Sequence, residues 1–429
     1  MILGDNLGLN TMLGFSKSFN ANFYCRLCKA HKSVMKKLTK QDDALLRNRE
    51  NYSRDLDQNN VTETGISEYC CFNNIPSFHV VDNCSVDIMH DIFEGVCHYD
   101  LAEIILYYTD VLHIFDLQTL NNRLELFDYS ITELNNMSPV IKSEHLTRRK
   151  FKMSASEMMS FVHLFPLLVG DLVPVDDAVW QLLITLLQII DIILLYNIDT
   201  PTIKLLECLI SEHHENYITL FRETLKPKHH FMVHYPHVIK QVGSLRQLWC
   251  MRFEAKHKSL KNTASMTTSR KNLALTLLIK EQLAFARRLF VEDGLKPRLE
   301  FGTFTGHDTL IDFNSINDAC TEDVDLSCSF QWIRYKGTKY IPGMILVTSS
   351  KDNFSFHKLY YICRSKSSLS VYFLCMDLDC SGFNDHLQAY GIGNEKDTGK
   401  LMQPEHLIIA PTKAHVIATG QSYCRFNYF

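Results

Sequence analysis

Two cysteines, Cys25 and Cys28, stand close together near the start of the chain. Its one dense histidine group, His229, His230, His234 and His237, follows more than 200 residues later. A Cys-x-x-Cys knuckle grips a tetrahedral Zn²⁺ with two thiolates and leaves two positions open, so it needs a second ligand pair. His230 and His234 are four apart and can share a helical face or cross a turn. Joined, the two pairs complete a Cys₂His₂ set and oblige the chain between them to return on itself. The competing reading is two buried free thiols and a solvated histidine cluster.

Composition narrows the class. With 429 residues, 46% apolar and 21% charged, the chain is expected to pack as two or three globular domains; collagen, coiled-coil rods and general disorder are excluded. Fourteen cysteines are too sparse at this length for a disulfide scaffold, and no cleavable signal opens the chain, so a reducing interior is expected. Net charge is −4, yet residues 221–300 carry 16 Lys/Arg against 6 Asp/Glu. That block is +10 and the remainder −14. Any nucleic-acid surface is therefore local. Residues 179–196 imitate a membrane span, but Gln181, Thr185, Gln188 and Asp191 line one helical face, as in an amphipathic core helix. No membrane partner is expected.

Along the chain, residues 1–35 read as the end of a buried strand leading into the cysteine knuckle. The polar stretch 36–80 reads as a charged helix and loop. From 82 to 225 a 3.6-residue period predicts helices near 87–111, 117–126, 154–169, 176–197, 201–213 and 215–224. The basic block continues with helices near 247–262 and 270–290. Residues 301–429 alternate β-branched and aromatic residues between turns, which predicts a small separate β-domain, a barrel.

Two further constellations can carry chemistry. Asp5 precedes a Gly/Asn turn, and Glu254 lies among Arg252, Lys256 and Lys258. Such carboxylates can hold hard divalent cations in a two-metal site that cleaves phosphodiesters, although a Glu in that company is also a partner for surface ion pairs. Asp87 and His90 are three apart, so the carboxylate can orient the imidazole; capping of a helix start is the alternative.

Five blocks in order, Gly4-Asp5-Asn6-Leu7-Gly8-Leu9-Asn10, Phe23-Tyr24-Cys25-Arg26-Leu27-Cys28-Lys29, Asp87-Ile88-Met89-His90-Asp91-Ile92-Phe93-Glu94-Gly95-Val96, Lys228-His229-His230-Phe231-Met232-Val233-His234-Tyr235-Pro236 and Arg252-Phe253-Glu254-Ala255-Lys256-His257, resemble the CACTA/EnSpm-type DNA transposases of animal genomes. The resemblance spans about residues 1–290, and the tail resembles a C-terminal domain often attached to these proteins. It implies an α+β protein: a partial RNase H-like (DDE transposase) core in 1–40 and 226–300, split by an all-helical insertion over 41–225 and followed by the β-barrel-like domain 301–429. It implies two-metal DNA cleavage and strand transfer, with Asp5 as the second catalytic aspartate, Glu254 as the glutamate, and Mg²⁺ or Mn²⁺ between them. A structural Zn²⁺ would sit on Cys25, Cys28, His230 and His234, with His229 a rival. Asp87 and His90 match the insertion's D-x-x-H signature, and Arg252, Lys256, Lys258 and Lys261 would face the DNA. The family's first aspartate lies upstream of Gly4-Asp5 and has no counterpart here. A truncated chain with impaired catalysis is expected, the alternative being a non-catalytic DNA-binding or protein-interaction module. DNA is the implied partner and the nucleus the implied location. A homo-oligomer and a protein partner for the β-domain stay open.

Overall fold

Side-chain caps set most helix starts. Asp5 accepts from the Leu7 and Gly8 amides and opens the helix Asn6–Met12. Asn48 and Asn51 exchange side-chain and backbone hydrogen bonds at the head of Arg49–Asp57. Asp177 caps Ala178–Ile193 through the Val179 and Trp180 amides and also accepts from Tyr108 Oη at 2.6 Å. Asp199, followed by Pro201, opens Thr200–Phe221. Each cap satisfies amides that no helical carbonyl reaches.

The computed structural model describes residues 1–129, 133–291, 294–295, 299–304, 326–328, 330–350, 353–365 and 370–426. The protein is a mixed α+β molecule with a large helical region and a C-terminal sheet. It divides into two compact units, Met1–Glu125 with Ser138–Phe165 and Leu172–His257, and Leu126–Met137 with Pro166–Asp171 and Lys258–Phe429. This division cuts across the four expected segments: residues 1–40, most of 41–225 and the start of 226–300 share one unit.

In the first unit the structure departs from the expectations in four places. The opening residues do not end a strand: Met1–Gly4 are irregular and lead into the Asp5 cap. Among the described residues before Glu300 there are only isolated bridges, Phe15 with Ile66 and Cys28 with Leu46, and no sheet of an RNase H-like core. The stretch expected as two helices at 201–224 is one helix, Thr200–Phe221, because His213 and His214, which look like a polar break, are fully buried and hydrogen-bonded inside the unit. The helix after Asp87 begins with wide π-type turns, Met89–Val96, before Cys97–Leu106 and Tyr107–Val111. Trp180, Tyr108, Phe93, Tyr217, Phe231 and Tyr235 form the interior. Among the described residues no helix is long and apolar enough to cross a membrane. Ala178–Ile193 instead buries Leu182, Leu183, Leu186 and Leu187 and exposes Gln181.

In the second unit β1 (Glu300–Phe301), β3 (Ile333–Tyr335) and β4 (Thr338–Tyr340) form a small antiparallel sheet in the order β1-β3-β4. β2 (Leu326–Cys328), β5 (Ile345–Ser350), β6 (Asn353–Ser365), β7 (Val371–Asn384), β8 (Ala389–Met402), β9 (Ala414–Val416) and β10 (Ser422–Cys424) form the larger one. Its order is β2-β6-β7-β8-β10-β9, with β5 also on β6. Ile345 exchanges backbone hydrogen bonds with Thr412, 2.8 and 3.0 Å, which ties β5 to the segment entering β9. Period-two alternation gives each face its own core: Leu346, Leu359, Phe373 and Cys375 on one, Val347, Phe356 and Leu378 on the other. The strands fall within the stretch 301–429 expected as a β-domain, apart from Glu300, while residues 305–325, 329, 351–352, 366–369 and 427–429 of that stretch lie outside the described residues.

Leu183 is fully buried and Gln181 exposed on the same helix. Leu183→Ala is therefore expected to destabilise the first unit by about 2–5 kcal/mol, and Gln181→Ala by less than about 0.5 kcal/mol, both read by chemical denaturation.

Candidate metal centre

The knuckle is built by local hydrogen bonds. The Leu27 amide points at Cys25 Sγ, 3.4 Å, while the backbone of Leu27 and Lys29 pairs with Arg47 and Leu45. His230 lies in the short helix Pro227–Met232, and His234 precedes the next, Tyr235–Val242. The histidine pair therefore spans a junction between helices. The four ligand atoms all lie within 4.8 Å of one another, and all four residues are buried. Cys25 Sγ is 3.6 Å from His234 Nε2, Cys28 Sγ 3.3 Å from His230 Nε2, and the two Nε2 atoms are 3.4 Å apart. Metal bonds of about 2.0–2.3 Å in a tetrahedron require edges of roughly this size. His234 Nδ1 lies 2.9 Å from Gln41 Oε1, a donation that leaves Nε2 as a lone pair.

The electrostatics favour a cation. Burial raises the Cys25 thiol, but a hydrogen bond from Cys28 and the charges of His234 and His230 overcome it, and Cys25 is held well below its ordinary value. Its hydrogen bond to Cys25, burial and the neighbouring thiolate push Cys28 well above. A divalent ion on these sulfurs binds them as thiolates and displaces any thiol proton. Buried Arg47, whose Nε donates to the Cys25 carbonyl at 3.3 Å, adds positive charge beside both sulfurs. Buried His230 Nδ1 has no hydrogen-bond partner in the structure. These donors fit a structural metal such as zinc.

His229, the rival ligand, is elsewhere. Its Nε2 faces Asp100 Oδ1 at 3.1 Å, and its Nδ1 accepts from the Lys226 amide. Asp100 Oδ2 takes His213 Nε2 at 2.7 Å, His213 Nδ1 meets His214 Nδ1, and His214 Nε2 donates to the His229 carbonyl. Burial would raise Asp100, but the charges and hydrogen bonds of His213 and His229 lower it to about 2. This fully buried network, one residue behind the metal ligands, was not expected from the sequence. Its signal is an acid, Asp100, directly before the apolar pair Leu101-Ala102 on a buried helix.

A second convergence surrounds Asp87. Oδ1 accepts from the Met89 amide at 3.1 Å and from the Cys250 amide at 3.0 Å, and Oδ2 lies 2.5 Å from His90 Nδ1. Capping and orientation, the two alternatives for Asp87, are both present. The hydrogen bond that His90 donates to Asp87 raises the His90 pKa against its desolvation. His90 Nε2 then faces Glu254 at 3.6 Å and Glu94 at 3.7 Å. Asp5 and Glu254 both lie close enough to Cys250 to help push its thiol up, after burial and Asp87. Asp87, His90 and Cys250 thus form one close group, with Glu254 against the His90 ring, while Asp5 spends one oxygen on its cap. Glu254, Arg252, Lys256, Lys258 and Lys261 are exposed on the helix Met251–Met266. Their spacing puts Arg252 with Lys256 on one face and Lys258 with Lys261 on another, so the four do not form a single stripe.

Comparison of the chain with protein-family models finds no match, and comparison with curated proteins finds none either.

Co²⁺ added to the chain is expected to give tetrahedral visible bands with a sulfur charge-transfer band, both lost in Cys25→Ser. Asp100→Asn is expected to destabilise by ~3–5 kcal/mol at neutral pH, because it breaks a buried pair. Since the Asp100 value is lowered to about 2, its contribution is whole above pH ~4 and is lost as pH falls towards 2. Acid denaturation of the parent chain should be steeper over that window than that of Asp100→Asn.

Proposed function

We propose that this chain is derived from a DNA transposase of the DDE class and resembles the CACTA/EnSpm type, with a structural zinc on Cys25, Cys28, His230 and His234. One observation supports this reading: the ligand group Cys25, Cys28, His230 and His234 joins a segment just after Asp5 to one just before Glu254, carboxylates 249 residues apart in sequence. Divalent Mg²⁺ or Mn²⁺, when bound there, would activate water and stabilise the leaving oxygen of a phosphodiester. The chain's own part is to hold Glu254 at the entrance and to present Arg252 and Lys256 beside it, where phosphate oxygens are neutralised. In this reading the Asp5 segment and the helices after His234 belong to an RNase H-like core, and the β5–β10 sheet to a barrel-like appended domain.

A second reading, a non-catalytic DNA-binding module, is favoured by a different observation: among the described residues before Glu300 no sheet is present to carry a first aspartate.

The two separate on one experiment with supercoiled and linear DNA. Mg²⁺- or Mn²⁺-dependent nicking that Glu254→Gln abolishes while binding persists supports the transposase reading. Binding without nicking, unchanged by Glu254→Gln, supports the module. In either case log K should fall linearly with log salt, and Arg252→Ala with Lys256→Ala should flatten the slope by about 2.

A further inference from the structure

The helix Leu273–Phe290 of the second unit opens on Asn272, whose Oδ1 accepts from the Leu275 amide at 3.3 Å. Lys280 Nζ donates to Thr267 Oγ1, on the preceding segment, at 3.1 Å. At about 100° per residue the sequence of this helix separates into two faces. One carries Lys280, Glu281, Arg287 and Arg288. The other, an arc of roughly 160°, carries Leu275, Leu278, Ile279, Leu283, Phe285 and Leu289, and its only polar member is Gln282.

An apolar arc this wide marks a face turned to a core, yet none of the 18 residues is buried. The six apolar side chains are 49–64% exposed, and Phe290, which continues the arc, is 90% exposed. A helix of this length draws most of its stability from the packing of such a face. With about half of each side chain in solvent, the arc exposes on the order of 700 Å². That exceeds what a monomer ordinarily leaves uncovered in one patch and approaches the ~800 Å² that each partner contributes to a stable interface.

The spacing points to what covers it. Leu275, Gln282 and Leu289 follow one another at seven residues, and Leu278 and Phe285 fall between them three residues on, the pattern of a seam between two helices. The arc also reads alike in both directions from Gln282: Leu275 and Leu289 lie seven residues to either side, and Ile279 and Phe285 three. A two-fold contact between identical chains needs a surface that complements itself in this way. A lone polar residue inside an apolar seam fixes the register of the two helices, and here it stands at the centre of the pattern. We propose that the helix Leu273–Phe290 is a homodimer interface, in which two copies of the chain lay these apolar arcs along each other with Gln282 against Gln282 of the partner subunit. The charged face stays in solvent. The interface needs neither DNA nor a metal and stands apart from the transposase reading.

The test uses the full chain saturated with zinc. Sedimentation equilibrium at micromolar concentration is expected to show a dimer. Leu278→Glu and Phe285→Glu replace exposed side chains, so circular dichroism and thermal unfolding of the monomer should stay as in the parent, while each weakens the dimer by about tenfold or more. Under mild oxidation Gln282→Cys should give a disulfide-linked dimer that neither the parent chain nor Lys280→Cys, on the opposite face, forms. A parent chain that stays monomeric at high micromolar concentration would overturn the proposal, and that result depends on no variant. So would a dimer that survives both glutamate substitutions together, or one in which Lys280→Cys crosslinks as fast as Gln282→Cys. A monomer that binds phosphatidylserine vesicles through this helix, with binding lost in Leu278→Glu, would overturn it too and give the face to a membrane surface.

Discussion

The closure of Cys25 and Cys28 on His230 and His234 is the constraint from which the rest of the first unit follows. The partners are separated by 209 and 202 residues. Loop closure over such a length costs only a logarithmic increment beyond a short loop, so a single strong junction suffices to hold it. What the junction determines is less the helical interior, which has its own core around Trp180 and Tyr217, than the placement of the segments on either side. Asp5 lies 20 residues before Cys25, and Glu254 lies 20 after His234.

Arg26, between the two cysteines, carries that order inward. Its fully buried guanidinium donates to Asn6 Oδ1 at 2.8 Å, to Asn10 Oδ1 at 3.3 Å and to the Ser85 carbonyl, and stacks over Phe231 at 5.1 Å. Asn6 in turn donates to Asp91 Oδ1 at 2.5 Å. One side chain of the knuckle thus ties the helix that follows Asp5 to the irregular segment that leads to Asp87. A buried arginine is tolerated only where its donors are spent and a counter-charge is near. Here Asp91 is that charge, although burial and Asp87 raise its pKa to about 7 against the pull of Arg26 and Lys228.

Much of this was legible in the sequence, and the reasons differ by element. The long helices followed from period and caps because their apolar faces are wide and Asp177 and Asp199 mark their starts. The pairing of the knuckle with His230 and His234 followed from ligand chemistry, which needs two donors more than a Cys-x-x-Cys supplies. The opening residues misled because three apolar residues before Asp5 resemble a strand end, whereas the acid caps a helix. Thr200–Phe221 misled because adjacent histidines look like a solvated break until a buried carboxylate, Asp100, is found opposite them. That carboxylate comes from a helix 113 residues earlier. Partners that distant leave no local trace in a sequence.

Asp87 shows why the choice between a cap and a functional group was undecidable from spacing. The two carboxylate oxygens do different things. Oδ1 receives the amide of Met89, two residues on, and that of Cys250, 163 residues on and just before the helix Met251–Met266. Oδ2 receives the His90 ring. Cys250 accepts at its carbonyl from the Glu254 amide, 2.9 Å, so Glu254 stands one helical turn beyond the residue that Asp87 anchors. A turn rises about 5.4 Å, the distance over which a carboxylate held at the helix start can set an imidazole against a carboxylate one turn along. The cap is therefore the device by which His90 and Glu254 meet.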